Sequence, residues 1–231
     1  MYQINEFNNR DQLDMDLADK VANILTKAVA SKGHASIAVS GGSTPKGFFN
    51  LLSQKELPWK KITITLADER WVNIDDEASN TRLVFENLIQ NKASDAKFFH
   101  LKQGERLCEE MLADLNLAAK SSLLPFDVLI LGMGEDGHTA SLFPCSEQIS
   151  VALAPDNEKA LMKVVPKTAP HERITFTFTS LISSENTFLH ISGLNKKAVL
   201  DKAILGDDIL SMPIRAFLQH PEVNTQVYWA E

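Results

Sequence analysis

The feature that most restricts the fold of this chain is an alternation. Short, β-branched and apolar runs stop at small or charged residues, and each is followed by a segment whose apolar positions recur at helical spacing. Ala35-Ser-Ile-Ala-Val-Ser40, Ile62-Thr-Ile-Thr-Leu-Ala67 and Phe126-Asp-Val-Leu-Ile-Leu131 are runs of the first kind, of the length and composition that strands buried on both faces require. Leu13, Leu17, Val21, Ile24, Leu25, Ala28 and Val29 fall on one helical stripe, which predicts a helix over residues 11–31 ending near Gly33. Further helices are expected over 46–54, 79–90 and 105–120. Strands separated by helices pair in parallel through right-handed crossovers, so the expected class is α/β with an open, mainly parallel sheet. Beyond Pro144 the pattern loosens. Strands are expected over 160–165, 173–178 and 187–192, then a helix over 196–205 and an edge strand over 226–229.

A chain of 231 residues that is 44% hydrophobic has enough apolar material for one sizeable core, and no repeat or shift of composition divides it. A single α/β domain over 1–231 is the expectation. The net charge of −7, with no basic run, argues against a nucleic-acid partner and means that any attraction for an anionic ligand must be local. No basic, apolar leader opens the sequence and no apolar stretch approaches membrane length, so a cytoplasmic protein without a membrane partner is expected. Cys108 and Cys145 have neither CxxC spacing nor neighbouring histidines. They read as reduced thiols, and no metal is expected.

Three segments carry chemistry. In Leu129-Ile-Leu-Gly-Met-Gly-Glu-Asp-Gly-His-Thr-Ala-Ser-Leu-Phe-Pro144 a strand empties into glycines that permit tight backbone geometry. Asp136 and His138 are thereby delivered to the carboxyl end of the sheet, where open α/β sheets bind ligands. Histidine exchanges protons near neutrality, which suits it to general-base work. The second segment, Ser40-Gly-Gly-Ser-Thr-Pro-Lys-Gly47, lies between a strand and a helix. Gly41 and Gly42 let backbone approach a ligand, Ser43 or Thr44 is placed to cap the helix, and Pro45 fits its first turn. Such a turn makes a phosphate cradle from free N–H groups, and it serves equally as an ordinary glycine turn. It is neither a Walker loop nor GxGxxG.

The third segment, Ala67-Asp-Glu-Arg-Trp-Val72, follows a strand and so reaches the same sheet edge. Arg70 presents a planar fork for phosphate or an oxyanion, and Asp68 is placed to orient His138 or a water. Arg173 and Lys196 read singly as solvated surface. They gain weight as local cations for an anionic ligand on an acidic protein.

Ser-Gly-Gly-Ser-Thr-Pro, Asp-Glu-Arg-Trp-Val, Ser79-Asn80, Gly-Met-Gly-Glu-Asp-Gly-His-Thr-Ala-Ser-Leu-Phe-Pro, Arg-Ile-Thr and Ser-Gly-Leu-Asn-Lys occur in this order from about residue 20 onward. Together they resemble the 6-phosphogluconolactonases. The resemblance implies a Rossmann-like fold with helices on both faces of the sheet, shared with glucosamine-6-phosphate deaminase, and cofactor-free hydrolysis of a sugar-phosphate lactone, 6-phospho-D-glucono-1,5-lactone. For that reaction His138 is assigned as base, oriented by Asp136 or Asp68, and Arg70 is the candidate to stabilise the oxyanion or the substrate. Gly41, Gly42, Ser43, Thr44, Arg173 and Lys196 are candidates for the phosphate end, and the sequence leaves open which basic group meets which end of the substrate. The deaminases it resembles less read Asp-Glu-Tyr at the acidic motif and place a catalytic glutamate five residues after the histidine. Here Arg70 and Phe143 stand at those positions. A sugar-phosphate sensor on the same fold would carry a DNA-binding module, of which no sign precedes the first strand. A monomer is the working expectation.

Overall fold

Ala35–Val39 and Val128–Leu131 are adjacent strands in which every residue is buried. Side chains of a strand point alternately to its two faces, so complete burial means that layers of chain cover both. The computed structural model describes all 231 residues. In chain order its elements are β1 (Tyr2–Phe7), α1 (Arg10–Lys32), β2 (Ala35–Val39), α2 (Lys46–Ser53), β3 (Ile62–Leu66), β4 (Asp68–Arg70), α3 (Asn80–Asn87), β5 (Lys97–Phe98) and α4 (Glu109–Ser122). There follow β6 (Val128–Leu131), α5 (Ile149–Ala152), β7 (Leu161–Val164), β8 (Arg173–Phe176), α6 (Phe178–Ile182), β9 (Thr187–Ser192), α7 (Leu194–Leu205), α8 (Ile214–Leu218) and β10 (Thr225–Ala230).

Seven strands form one sheet in the order β1-β10-β9-β6-β2-β3-β5, and every pair in it is parallel. The chain steps outward from β2 through β3 to β5 on one side, and from β6 through β9 to β10 on the other. The order therefore reverses between β2 and β6. Loops leaving those two strands diverge and open a crevice at their carboxyl ends. The glycine turn after β2 and the histidine loop after β6 both enter it.

Sixty buried residues make one continuous apolar cluster. Helix α1 contributes the stripe Leu13, Leu17, Val21, Leu25, Ala28 and Val29. It starts where the Asn9 side chain accepts from Gln12 N and stops at Gly33, whose φ of 79° suits glycine.

Several expectations are corrected. The last strand is not at an edge, because β1, which the opening residues gave no clear sign of, adds outside β10. Residues 160–165 and 173–178 leave the parallel sheet. As β7 and β8 they pair antiparallel with β4 in a separate three-stranded sheet. The expected strand over 173–178 ends at Phe176, because the Thr177 side chain accepts from Ser180 N and caps α6. Helix α4 starts at Glu109 instead of near 105, and α7 starts at Leu194, just past Gly193. Neither Ser43 nor Thr44 caps α2. Pro45 is its N-cap, without a side-chain bond. Both cysteines are free thiols, and no helix is long and apolar enough to cross a membrane.

Candidate active site

The crevice holds a cleft of about 440 Å³ whose walls include Gly41, Gly42, Asp68, Arg70, His138 and Arg173. A smaller cavity of about 230 Å³ adjoins it across Ser40, Gly41, Gly42, Gly132 and Met133, and takes in Ser43, Thr44, His190 and Lys196. The residues singled out in the sequence therefore converge, but on two connected spaces. Arg173 stands in the larger with His138, and Lys196 stands in the smaller with Ser43 and Thr44. Asp136 lines neither, and touches the site through His138.

The histidine loop is built by its glycines. Gly134 N donates to His138 O at 2.8 Å, which folds the loop back on itself. His138 Nδ1 then lies 2.5 Å from Asp136 Oδ1, and the same oxygen accepts from His138 N at 3.1 Å. A Cβ on Gly134 would stand 2.1 Å from His138 Nδ1, so only glycine fits beneath the ring. Gly137, with φ +78°, is pressed against Met212. With the Nδ1 proton directed at a carboxylate, Nε2 becomes the basic nitrogen. Burial works to raise the Asp136 carboxyl, but the hydrogen bonds and charge of His138 outweigh it, and the group sits below its ordinary value.

Asp68 is not the partner of His138. Its Oδ2 accepts from Ser141 Oγ at 2.5 Å, and its backbone oxygen accepts from Asn80 Nδ2 at 3.0 Å. Glu69, from the same acidic motif, turns away from the cleft. Its buried carboxylate accepts from the N–H groups of Arg70, Asn80 and Thr81 at 2.7–2.8 Å and from the Thr81 hydroxyl at 2.7 Å. Burial pushes this carboxyl above its ordinary value against the pull of those donors.

Arg70 and Arg173 face each other across β4 and β8 as register partners. Arg70 Nη1 donates to Ala78 O at 2.6 Å and Arg173 Nη2 to Pro170 O at 3.1 Å. Each Nε is buried without a protein partner. Burial first, then the Arg70 charge, lowers the Arg173 guanidinium from its ordinary value. Two like charges are thus held side by side with donors unspent, an arrangement chemically suited to anionic groups. The Arg173 guanidinium also lies 5.6 Å from the centroid of Phe143.

The glycine turn is held on both sides. Ser40 Oγ accepts from Gly132 N at 3.2 Å, joining the two loops. Gly41 sits so close to Asn80 that a Cβ would lie 1.9 Å from its Oδ1, and Gly42 has φ +92°. Asn80 is a site residue that the sequence marked only through the pair Ser79-Asn80. The loop over 169–171 also lines the cleft. Nothing local announced it beyond Pro166 ahead of it and Pro170 within it. No three histidine, cysteine, aspartate or glutamate side chains gather as a metal-ligand set.

Residues 8–229 match the family model described as glucosamine-6-phosphate isomerases/6-phosphogluconolactonase. The chain is 44% identical over 224 residues to a 6-phosphogluconolactonase of Rhizobium meliloti, covering 97% of each protein. The crystal structure of a 6-phosphogluconolactonase from Shewanella baltica superposes with a TM-score of 0.96 at 42% identity, covering 100% of this chain and 98% of that one. A monomeric glucosamine-6-phosphate deaminase shares the fold at a TM-score of 0.80 and 20% identity, over 97% of this chain and 96% of that one. The chain belongs to the glucosamine-6-phosphate isomerase/6-phosphogluconolactonase family.

Proposed function

We propose that this protein hydrolyses 6-phospho-D-glucono-1,5-lactone to 6-phospho-D-gluconate. The observation that carries the reading is one cleft in which a histidine anchored by a carboxylate at Nδ1 stands with two arginines whose Nε groups lack partners. His138 Nε2 takes a proton from water as its oxygen adds to the lactone carbonyl. Proton transfer of this kind contributes roughly 10²–10⁴-fold in rate. Arg70 stabilises the tetrahedral oxyanion. The intermediate collapses by breaking the bond from the carbonyl carbon to the ring oxygen, which leaves as a hydroxyl and takes the proton back from His138. Asp136 orients the imidazole and balances its transient charge. Asp68 orders the wall of the cleft through Ser141.

The phosphate lies where the two spaces meet. The Gly41, Gly42, Ser43 and Thr44 backbone approaches it, with Arg173 reaching from the larger cleft and Lys196 from the smaller. The positive end of α2 adds to this attraction.

The test follows lactone decay with freshly made substrate, because the lactone also opens in buffer. The protein accelerates decay, His138→Ala loses nearly all of the acceleration while keeping its circular dichroism spectrum, and glucosamine 6-phosphate releases no ammonia. Ammonia release with lactone decay no faster than in buffer overturns the reading.

A further inference from the structure

Away from the reacting centre, a second acid and imidazole meet inside the protein. His190 Nε2 lies 3.0 Å from Asp14 Oδ1, with side chains 2% and 4% exposed, an ion-pair distance at which neither atom completes a hydrogen bond. Asp14 belongs to α1 and His190 to β9. A buried ionisable pair is weak evidence for stability, since apolar residues of similar volume fill such a space as well or better. What these two touch points to a different role.

Asp14 presses on the first turn of α2: a Cβ on Gly47 would stand 2.1 Å from Asp14 Oδ2. Phe48, the next residue of α2, sets its ring edge against His190, with centroids 5.9 Å apart and planes at 81°. One turn before Asp14, Arg10 donates from Nη2 to the carbonyls of Ser43 at 2.9 Å and Thr44 at 2.6 Å. Arg10 Nε is 3.9 Å from Asp14 Oδ2. His190 itself lines the smaller cavity with Ser43, Thr44 and Lys196. The turn has no side-chain cap of its own, and besides Ser40 and Asn80, which hold its glycines, it is placed by contacts from α1 and β9.

We propose that Asp14 and His190, with Arg10, are positioning residues for the glycine turn, holding it in the geometry that receives the substrate phosphate. The inference rests on the assignment of the phosphate to that turn. Arg10 occupies the carbonyls of Ser43 and Thr44, and the buried pair backs the start of α2, with Asp14 against Gly47 and His190 against Phe48. The turn is thereby ordered before substrate arrives, and the entropy of ordering it is not charged to binding. None of the three reaches the reacting carbonyl, so they act on substrate capture and leave the chemical step alone.

The test compares KM and kcat for the lactone, and competitive inhibition by inorganic phosphate, in Asp14→Asn, His190→Gln and the double apolar variant Asp14→Leu/His190→Phe. The expected result is a rise of about tenfold in KM and in the phosphate inhibition constant, the effect of losing one charge-assisted hydrogen bond to phosphate, with kcat near the parent value. Unchanged KM in folded variants, or a loss confined to kcat, overturns the proposal. If the buried variants fail to fold, Arg10→Met decides by the same readouts, because that side chain is 42% exposed. Lys196→Ala separates the two assignments. A KM raised by Lys196→Ala but not by the Asp14, His190 or Arg10 variants removes the positioning role alone. A KM unmoved by Lys196→Ala removes the phosphate assignment and the positioning role together.

Discussion

The imidazole of His138 lies on the ring of Phe143, with centroids 4.1 Å apart and planes 29° from parallel. Phe143 is 4% exposed, so it is a fixed platform that limits rotation of the histidine. An apolar ring accepts no proton. His138 therefore has a carboxylate at Nδ1 and an apolar ring over its face. A glutamate here would give the imidazole a second acid. The same ring carries the Arg173 guanidinium, so one phenylalanine sets the spacing between the imidazole and this cation.

Gly134→Ala is expected to lower kcat by about 10²-fold, the effect of displacing a reacting group by about 1 Å, because its Cβ would stand 2.1 Å from His138 Nδ1. Gly134 does not have the positive φ that would exclude alanine, and an alanine N–H keeps the bond to His138 O, so the unfolding midpoint stays near that of the parent. Steady-state lactone hydrolysis beside thermal unfolding checks this. A parent-like kcat would show that the imidazole has room to move.

Asp136 makes stability depend on acidity in a defined sense. Its folded carboxyl is depressed by His138, so the stability it contributes is fully present above the ordinary aspartate value of about 4 and is lost as pH falls through the lower, folded value. The denaturant stability of the protein minus that of Asp136→Asn is expected to be constant near neutrality, to shrink below about pH 4, and to vanish in stronger acid. A difference that grows on acidification contradicts the sign.

Glu69→Ala is expected to destabilise the fold. It would leave three backbone N–H groups and the Thr81 hydroxyl without their acceptor in a buried place. Breaking a buried charged network of this kind costs roughly 3 kcal/mol or more, lowering Tm by about 6–12 °C in a chain of this size. Calorimetry reads the shift. An unchanged Tm would mean that water replaces the carboxylate.

The alternation of β-branched runs with amphipathic stripes was enough to place β2, β3 and β6, and with them the class of fold, because strand and helix periodicity are local properties of the chain. His138 and Asp136 were legible for the same reason. They are two residues apart, and the glycines that bring them together stand between and beside them. The rest depended on distance along the chain. β1 is half-exposed and forms only because β10, more than two hundred residues later, pairs with it in register. The acidic motif announced three charged residues, but only tertiary packing sent Asp68 to Ser141, turned Glu69 inward to Asn80 and Thr81, and set Arg70 opposite Arg173. Arg10, Asp14 and His190 look like ordinary helix and strand residues in the sequence. Their burial and pairing beneath the glycine turn come from the packing of α1 against β9 and α2. Local spacing determines which element a residue joins, whereas the partner of a charge is chosen by burial, which only the assembled layers create.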